Sequence, residues 1–225
     1  MTELIDTYWL YFLVGQYPHG PLGGLALTLI LATLGLLLAL PLGVLLGLAR
    51  FSPRAWLRLP VTGWVWAVRG TPLLMVVFWA YFFLPTITGH KTDQFTTMLV
   101  ALIVFDAAYI AEIVHAGLSA LPRGQLQAAT SLGMTRAQAL RHVLLPQALR
   151  HMLPSLINEF VATIKNTSLG TIIGLSELSF IANQINAQVL VKPVEIYLTL
   201  AGCYFVMCFG LTRIAKVAER HLSAT

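Results

Sequence analysis

A run of 28 residues without a charged side chain is the feature that most restricts the fold of this chain. It extends from residue 22 to residue 49, consists mostly of Leu, Gly and Ala, and ends at Arg50. About 20 apolar residues in a helix suffice to cross the hydrocarbon core of a bilayer. The sequence therefore predicts a transmembrane helix over this run.

The composition extends this expectation to the whole chain. Of its 225 residues, 57% are hydrophobic and only 10% are charged, whereas a soluble domain carries about 25% charged residues. Its basic residues are scattered rather than gathered on one face, which argues against nucleic acid as a partner. Cys203 and Cys208 lie in one apolar stretch and suggest neither a disulfide nor a metal site. We predict an all-α integral membrane protein in contact with lipid.

Four further apolar runs predict a bundle of five transmembrane helices within residues 22–220. They are residues 60–84, where Gly70 to Pro72 would allow a break, 94–118, 152–175 and 194–217. Residues 1–21 lack the basic start and cleavage site of a signal peptide, so we predict an uncleaved, extracytoplasmic interfacial segment. Residues 85–93 and 176–193 are polar connections, and residues 221–225 form a short tail.

The loops differ sharply in basic residues, and this predicts the orientation. One set holds only Lys91 and Lys192, and the other holds ten basic residues: Arg50, Arg54, Arg58, Arg123, Arg136, Arg141, Arg150, Arg213, Lys216 and Arg220. Loops rich in Lys and Arg face the cytoplasm. The N-terminus is therefore predicted outside, and the C-terminus and the loop of residues 119–151 inside.

The loop of residues 119–151 carries a helical pattern of its own. Apolar residues recur at helical spacing in residues 126–134 and 137–149. Gly133 permits a sharp turn, Thr135 is placed to cap the second helix, and Pro146 to interrupt it. A compact helix-turn-helix of this kind can transmit the movement of a partner as a rigid lever.

The spacing within this loop resembles a family signature. The membrane-spanning permeases of ATP-binding-cassette (ABC) importers carry Glu-Ala-Ala, three residues, Gly, nine residues, Ile, one residue and Leu-Pro. This chain keeps every spacing, with Gln in place of Glu and Val in place of Ile: Gln127, Ala128, Ala129, Gly133, Val143, Leu145 and Pro146. Further segments resemble the branch that imports polar amino acids, such as histidine, glutamine, glutamate, arginine and opines: residues 68–74, 108–113 with 119–125, and 153–160 with 165–169.

That resemblance implies a fold, a location and partners. It implies the type I importer permease fold of the bacterial inner membrane, with the signature segment as a cytoplasmic coupling helix. It also implies a second permease subunit, identical or different, a cytosolic ATPase dimer and an extracytoplasmic amino-acid-binding protein. The sequence contains no phosphate-binding Gly-x-x-x-x-Gly-Lys-Ser/Thr loop. ATP and Mg²⁺ are therefore expected on the ATPase, and this chain is predicted to be neither an enzyme nor a cofactor-binding protein.

Polar residues within the apolar runs are candidates for the translocation path, because a charge in the bilayer centre costs at least about 2.5–3.5 kcal/mol. Arg69 lies directly before the predicted break and Thr71 lies within it. Four further candidates lie deep in the fourth run: Lys165, Asn166, Thr167 and Ser168. For Arg69 the alternative is a structural ion pair with Glu112 or Glu159. Many relatives carry Asp at the position of Asn166, so we expect an acidic or neutral polar amino acid, or a conjugate of one, rather than a cationic substrate.

Three other polar residues are predicted to form gates or structural contacts. Asn158 and Glu159 lie nearer the cytoplasmic end than Lys165, and Glu112 lies close to the cytoplasmic interface, where it could anchor the coupling loop. The sequence offers neither a metal-ligand cluster nor a nucleophile with a base beside it. The alternative function is a secondary transporter driven by an ion gradient, which would be expected to show internal repeats and more spans.

Overall fold

A computed structural model describes residues 2–89 and 93–223 of the chain. The described residues form eleven α-helices joined by short turns, with two π-helical turns at Trp79–Phe83 and Leu140–Leu144 and a 3₁₀ segment at Thr167–Ile173. The helices are α1 Thr2–Val14, α2 Gly24–Arg50, α3 Ala55–Arg69, α4 Leu73–Phe78, α5 Leu84–Thr88, α6 Gln94–Ser119, α7 Arg123–Ser131, α8 Arg136–Ala139, α9 Leu145–Asn166, α10 Leu178–Val189 and α11 Pro193–Ser223. The prediction of an all-α chain is confirmed.

Three helices are long and apolar enough to cross a membrane, and they correspond to the first, third and fifth predicted spans. They are Gly24–Phe51, Gln94–Ser119 and Pro193–Val217 within the described chain. The second predicted span is indeed broken at Gly70–Pro72, and its two halves, Ala55–Arg69 and Leu73–Ile87, meet at 99°. The fourth predicted span does not reach the hydropathy of a membrane helix, so the count of five is not confirmed.

Several predicted boundaries in the second half of the chain were wrong. Helix α9, which corresponds to the fourth predicted span, begins at Leu145 rather than at residue 152. After Asn166 it continues as the 3₁₀ segment. Pro146 does not end the helix that begins at Arg136, because the backbone stays right-handed helical through Leu144 and Leu145 and the π-helical turn Leu140–Leu144 leads directly into α9. The connections predicted at residues 85–93 and 176–193 contain α5 and α10. Lys91 lies outside the described residues, as do the last two residues of the predicted tail.

Helices α2 and α6 form the centre of the fold and approach each other through a row of small residues. Gly35, Ala39, Gly43 and Gly47 recur every fourth residue on the buried face of α2. A Cβ on Gly43 would lie 2.6 Å from the Ile110 side chain and 2.9 Å from the Ala107 carbonyl oxygen. Small residues at this spacing allow two membrane helices to bring their backbones together.

Buried polar contacts link further helices to this pair and to one another. Asp106 of α6 is fully buried and accepts a hydrogen bond of 2.9 Å from Thr163 of α9. Glu177, also fully buried, caps α10 by accepting hydrogen bonds from Ser179 N and Phe180 N at 2.9 and 2.8 Å. Its carboxylate also accepts a hydrogen bond of 3.1 Å from the Tyr204 hydroxyl of α11.

The N-terminus of α6 is closed by a side-chain cap. Asp93 accepts hydrogen bonds from Thr96 Oγ1 at 2.6 Å and from Thr96 N at 2.8 Å. These bonds hold the pKa of the Asp93 carboxyl below its ordinary value, the hydroxyl contributing most. The cap begins the helix on which the other membrane helices pack.

We predict that Gly43→Leu destabilises the protein, whereas Gly210→Leu does not. Leucine at position 43 would collide with the Ala107 backbone, which cannot rotate away, whereas a Cβ on Gly210 of α11 meets no atom within 4 Å. Overpacking of this kind costs about 1–3 kcal/mol. Thermal unfolding of the purified variants in detergent measures the difference; equal unfolding temperatures would show that α2 and α6 are not closely packed.

Candidate functional site

The segment with the signature spacing folds as two short helices joined by a tight turn. Gly133 has φ +84°, in the left-handed region that glycine favours. The turn is closed by hydrogen bonds from Gly133 N to the Thr130 oxygen at 3.0 Å and from Met134 N to the Ala129 oxygen at 3.2 Å. Thr135 and Gln138 then form a reciprocal capping box at the start of α8. The predicted turn at Gly133 and cap at Thr135 are confirmed.

This two-helix element is packed firmly onto the centre of the fold. Leu126 of α7 and Leu144 of the π-helical turn belong to the same apolar cluster as Ile110, Val114 and Leu118 of α6. Because buried side chains interdigitate at close-packed density, a push on the element is transmitted to α6 rather than absorbed. We call this element, which comprises α7, α8 and the π-helical turn Leu140–Leu144, the lever.

The signature residues divide between the exposed and the buried face of the element. Gln127 and Ala128 are exposed, as is Pro146, whereas Ala129 is buried and Leu145 packs against the same apolar cluster. Val143 is half-buried, and its carbonyl oxygen accepts a hydrogen bond of 3.0 Å from Gln147 Nε2. Gln127 and Ala128 are therefore accessible to a partner, whereas Ala129 and Leu145 hold the two-helix element against the rest of the fold.

A second polar centre lies where α2, α3 and α6 meet. Glu112 of α6 forms salt bridges with Arg50 at the end of α2, at 2.9 Å, and with Arg69 at the end of α3. Arg50 is only 5% exposed and Arg69 is 34% exposed. The Arg69 guanidinium also lies 5.3 Å from the centre of the Tyr109 ring, a cation–π distance. This centre joins three helices through one carboxylate.

These contacts identify the ion-pair partner of Arg69. Of the two possible partners, Glu112 and Glu159, Arg69 pairs with Glu112; the path role of Arg69 and the anchoring role of Glu112 stay predictions. Within the described residues Glu112 bonds to Arg50 and Arg69, because it lies about two turns before the end of α6 at Ser119, opposite the ends of α2 and α3.

The candidate path residues of the fourth run lie at the point where α9 becomes the 3₁₀ segment. Lys165 is exposed, and its side-chain ammonium forms neither a hydrogen bond nor an ion pair with the described part of the chain; Asn166 is half-buried. Thr167 and Ser168 direct their hydroxyls to the Ile164 and Lys165 carbonyl oxygens, each at 2.7 Å. Lys165 and Asn166 are thus the members of this group whose polar atoms remain open to a ligand.

The two groups of path candidates converge on α6. Val68, next to Arg69, and Leu169, next to Ser168, pack against one apolar cluster that includes Leu73 and Phe105. Thr71 is half-buried at the bend, where its hydroxyl donates to the Ala67 oxygen at 2.9 Å. The bend after α3 and the end of α9 therefore pack against the same apolar cluster.

Asn158 and Glu159 lie one to two turns earlier in α9. Asn158 is exposed, whereas Glu159 is half-buried and close enough to Asp106 and Arg69 to interact with their charges. The Glu159 carbonyl oxygen also accepts a hydrogen bond of 3.0 Å from Thr163, the partner of the buried Asp106. The arrangement extends a line of polar groups along the α6–α9 interface.

Sequence reasoning missed two residues of these centres. Arg50 was assigned to a loop because it ends an apolar run, although it is buried against Glu112. Asp106 was not paired with Thr163, since residues 57 positions apart carry no local signal of contact. A Glu directly before an apolar helix, as at Glu177, was the available signal for the missed helix α10.

Comparison with known proteins places these features in context. Residues 39–224 match the family described as "Binding-protein-dependent transport system inner membrane component". The chain is 38% identical over 205 residues to the inner membrane amino-acid ABC transporter permease protein YhdY of Escherichia coli, covering 89% of this chain and 56% of that protein. It is 35% identical to the arginine transport system permease protein ArtQ of Bacillus subtilis, covering 90% of this chain and 92% of that protein.

A solved structure agrees with the fold. A chain of the crystal structure of an amino acid ABC transporter with histidines superposes with a TM-score of 0.80 at 34% identity, covering 86% of this chain and 90% of that chain. The long apolar helices around α6, the two-helix element packed at their end and this structural match define a membrane permease subunit with the type I ABC importer fold, which is not itself an enzyme. The chain belongs to the family of inner membrane components of binding-protein-dependent transport systems.

We predict that Glu112→Gln destabilises the protein by about 2 kcal/mol, because the buried Arg50 loses the charged partner of its salt bridge. Arg69→Gln should cost at most about 1 kcal/mol, since Arg69 is partly solvated and its loss leaves the Arg50 pair intact. Thermal unfolding of both variants in detergent checks this order. A larger effect at Arg69 than at Glu112 would contradict it.

Proposed function

We propose that this chain is a translocation subunit of an importer for a polar amino acid, driven by a cytosolic ABC ATPase dimer that docks on α7 and α8. ATP and Mg²⁺ are bound by that ATPase. The observation that carries the proposal is the rigid two-helix element, whose turn at Gly133 and capping box at Thr135 fix its shape and whose buried face is packed onto α6. Movement of the ATPase would reach the membrane helices through this contact.

The proposed orientation follows from charge. The ends of α2 and α6 with Arg50, the loop with Arg54 and the two-helix element with Arg136 and Arg141 lie on one side of the chain, which we assign to the cytoplasm. The opposite end then accepts substrate from an extracytoplasmic binding protein. A second permease subunit, identical or different, would complete the path in the inner membrane.

The substrate is proposed to be an acidic or neutral polar amino acid, or a conjugate of one. Arg69 is paired with Glu112, a carboxylate that it shares with Arg50, whereas Lys165 is exposed with its ammonium unpaired by the described residues. Lys165 can therefore meet a carboxylate, and the Asn166 amide beside it can donate or accept. Thr71 and Ser168 are half-buried and Thr167 is fully buried, and the hydroxyls of all three bond to backbone carbonyl oxygens.

We predict that Gly133→Ala lowers uptake and substrate-stimulated ATPase activity, whereas Gly124→Ala leaves both unchanged. A Cβ at either position meets no atom within 4 Å, so the two variants differ in backbone conformation and not in crowding. At φ +84° alanine costs about 1–2 kcal/mol and favours another turn. The assay uses the complex with its ATPase and binding protein in liposomes.

The outcome of this pair separates two explanations. Loss of activity in Gly133→Ala with normal membrane insertion supports a coupling element of fixed shape. Full activity in both variants, or uptake driven by an ion gradient without ATP, would refute the proposed coupling.

We predict that Lys165→Gln weakens transport of acidic amino acids more than that of neutral ones, because the ammonium attracts the second carboxylate. Asn166→Asp should shift selectivity toward cationic amino acids for the opposite reason. Competition by a panel of acidic, amide, basic and conjugated amino acids against a labelled substrate measures both shifts. An unchanged selectivity profile in both variants would remove these residues from the path.

A further inference from the structure

A cavity of about 680 Å³ opens between the two-helix element and the membrane helices, beside the salt bridge of Arg50. It is lined by the end of α2, the start of α3, the end of α6 and the surface of α7 and α8 that faces them. Its volume lies within the range of small-molecule sites. The lever and the membrane helices therefore share a pocket that an occupant would bridge.

The cavity wall combines cations with hydrocarbon. Arg58 and Arg136 line it from α3 and α8, together with the buried Arg50 and with His115. No acidic side chain is among the described residues that line it. One polar atom of this wall is also unsatisfied, because Nε of Arg50 is buried without a hydrogen-bond partner in the described structure. Such a wall attracts an anion.

The rest of the wall is apolar and suits an acyl chain. Leu45 and Leu48 of α2, Leu57 of α3 and Leu140 and Leu144 of the lever face the cavity. A free phosphate would leave these side chains without a partner. An anionic group joined to a hydrocarbon chain satisfies both parts of the wall.

The cavity also lies at the depth of lipid headgroups. Helix α2 has 27 residues and is therefore about 40 Å long, whereas the hydrocarbon core is about 30 Å thick. Its end at Arg50 thus reaches the headgroup layer. Trp56, 71% exposed at the start of α3, has the position of an interfacial aromatic anchor.

We propose that this cavity binds an anionic phospholipid of the leaflet on the basic side, with its phosphate held by Arg58 and Arg136 and an acyl chain along the leucines of α2 and the lever. The bound lipid lies between the lever and α2, so it stabilises the position from which the lever acts. This site is separate from the path near Lys165 and from the exposed surface of Gln127 and Ala128.

The test uses Arg58→Gln with Arg54→Gln as the matched control. Both arginines are exposed near the start of α3, but only Arg58 lines the cavity. The complex with its ATPase and binding protein is titrated in phosphatidylcholine nanodiscs with phosphatidylglycerol, and retained lipid is counted by native mass spectrometry. Arg58→Gln should weaken phosphatidylglycerol retention about fivefold, as expected for loss of one basic group at an anionic headgroup. Arg54→Gln should match the wild type.

Further measurements cover the other possible occupants and the effect on the lever. Leu48→Phe, which fills the apolar part of the cavity, should also reduce phosphatidylglycerol retention, and excess inorganic phosphate should not displace the lipid. Equal retention in Arg58→Gln and Arg54→Gln, or equal retention of phosphatidylcholine and phosphatidylglycerol, would overturn the proposal. So would a photo-cross-linker at position 57 that captures the ATPase instead of lipid. Because lipid retention is counted without transport, failure here is distinguishable from failure of the proposed import function.

Discussion

The close approach of α2 and α6 is the contact on which the rest of the structure depends. Gly43 and Gly47 let the two backbones come together, and a methyl group at either position would meet a carbonyl oxygen of α6 at 2.9 Å. In a membrane, helices associate through such packing and through polar contacts rather than through exclusion of water. The salt bridges of Glu112 and the Asp106–Thr163 hydrogen bond all have a residue of α6 as one partner, so the position of this pair constrains the end of α3 and the position of α9.

Around this pair the polar residues fall into two groups, those whose side chains are paired within the fold and those whose side chains are not. Asp106 with Thr163, and Glu112 with Arg50, are paired inside the fold and hold helices together. Lys165 and Asn166 instead end α9 with their polar atoms open. A charge within a membrane helix is therefore not by itself a sign of a substrate path; the distinction lies in whether the fold supplies its partner.

The lever and the cavity beneath it belong to one mechanical unit. The exposed face of the two-helix element carries Gln127 and Ala128, while its buried face joins the cluster of Ile110 and Leu118. The cavity lined by Arg58 and Arg136 lies between this element and the membrane helices. With the proposed lipid in this cavity, the element would be held on both sides and have few positions available to it, which favours switching between discrete states over gradual bending.

The sequence by itself determined the membrane class, three of the membrane helices, the break at residues 70–72, and the turn and cap of the lever. These depend on local properties: hydropathy over about 20 residues, the backbone freedom of Gly133 and the hydroxyl of Thr135. Only the tertiary structure decided that Arg50 is buried against Glu112, that Asp106 meets Thr163, and that the helix continues through Pro146, so that α9 begins at Leu145. Partners 57 or 62 residues apart are chosen by how helices pack, and no local pattern encodes that choice.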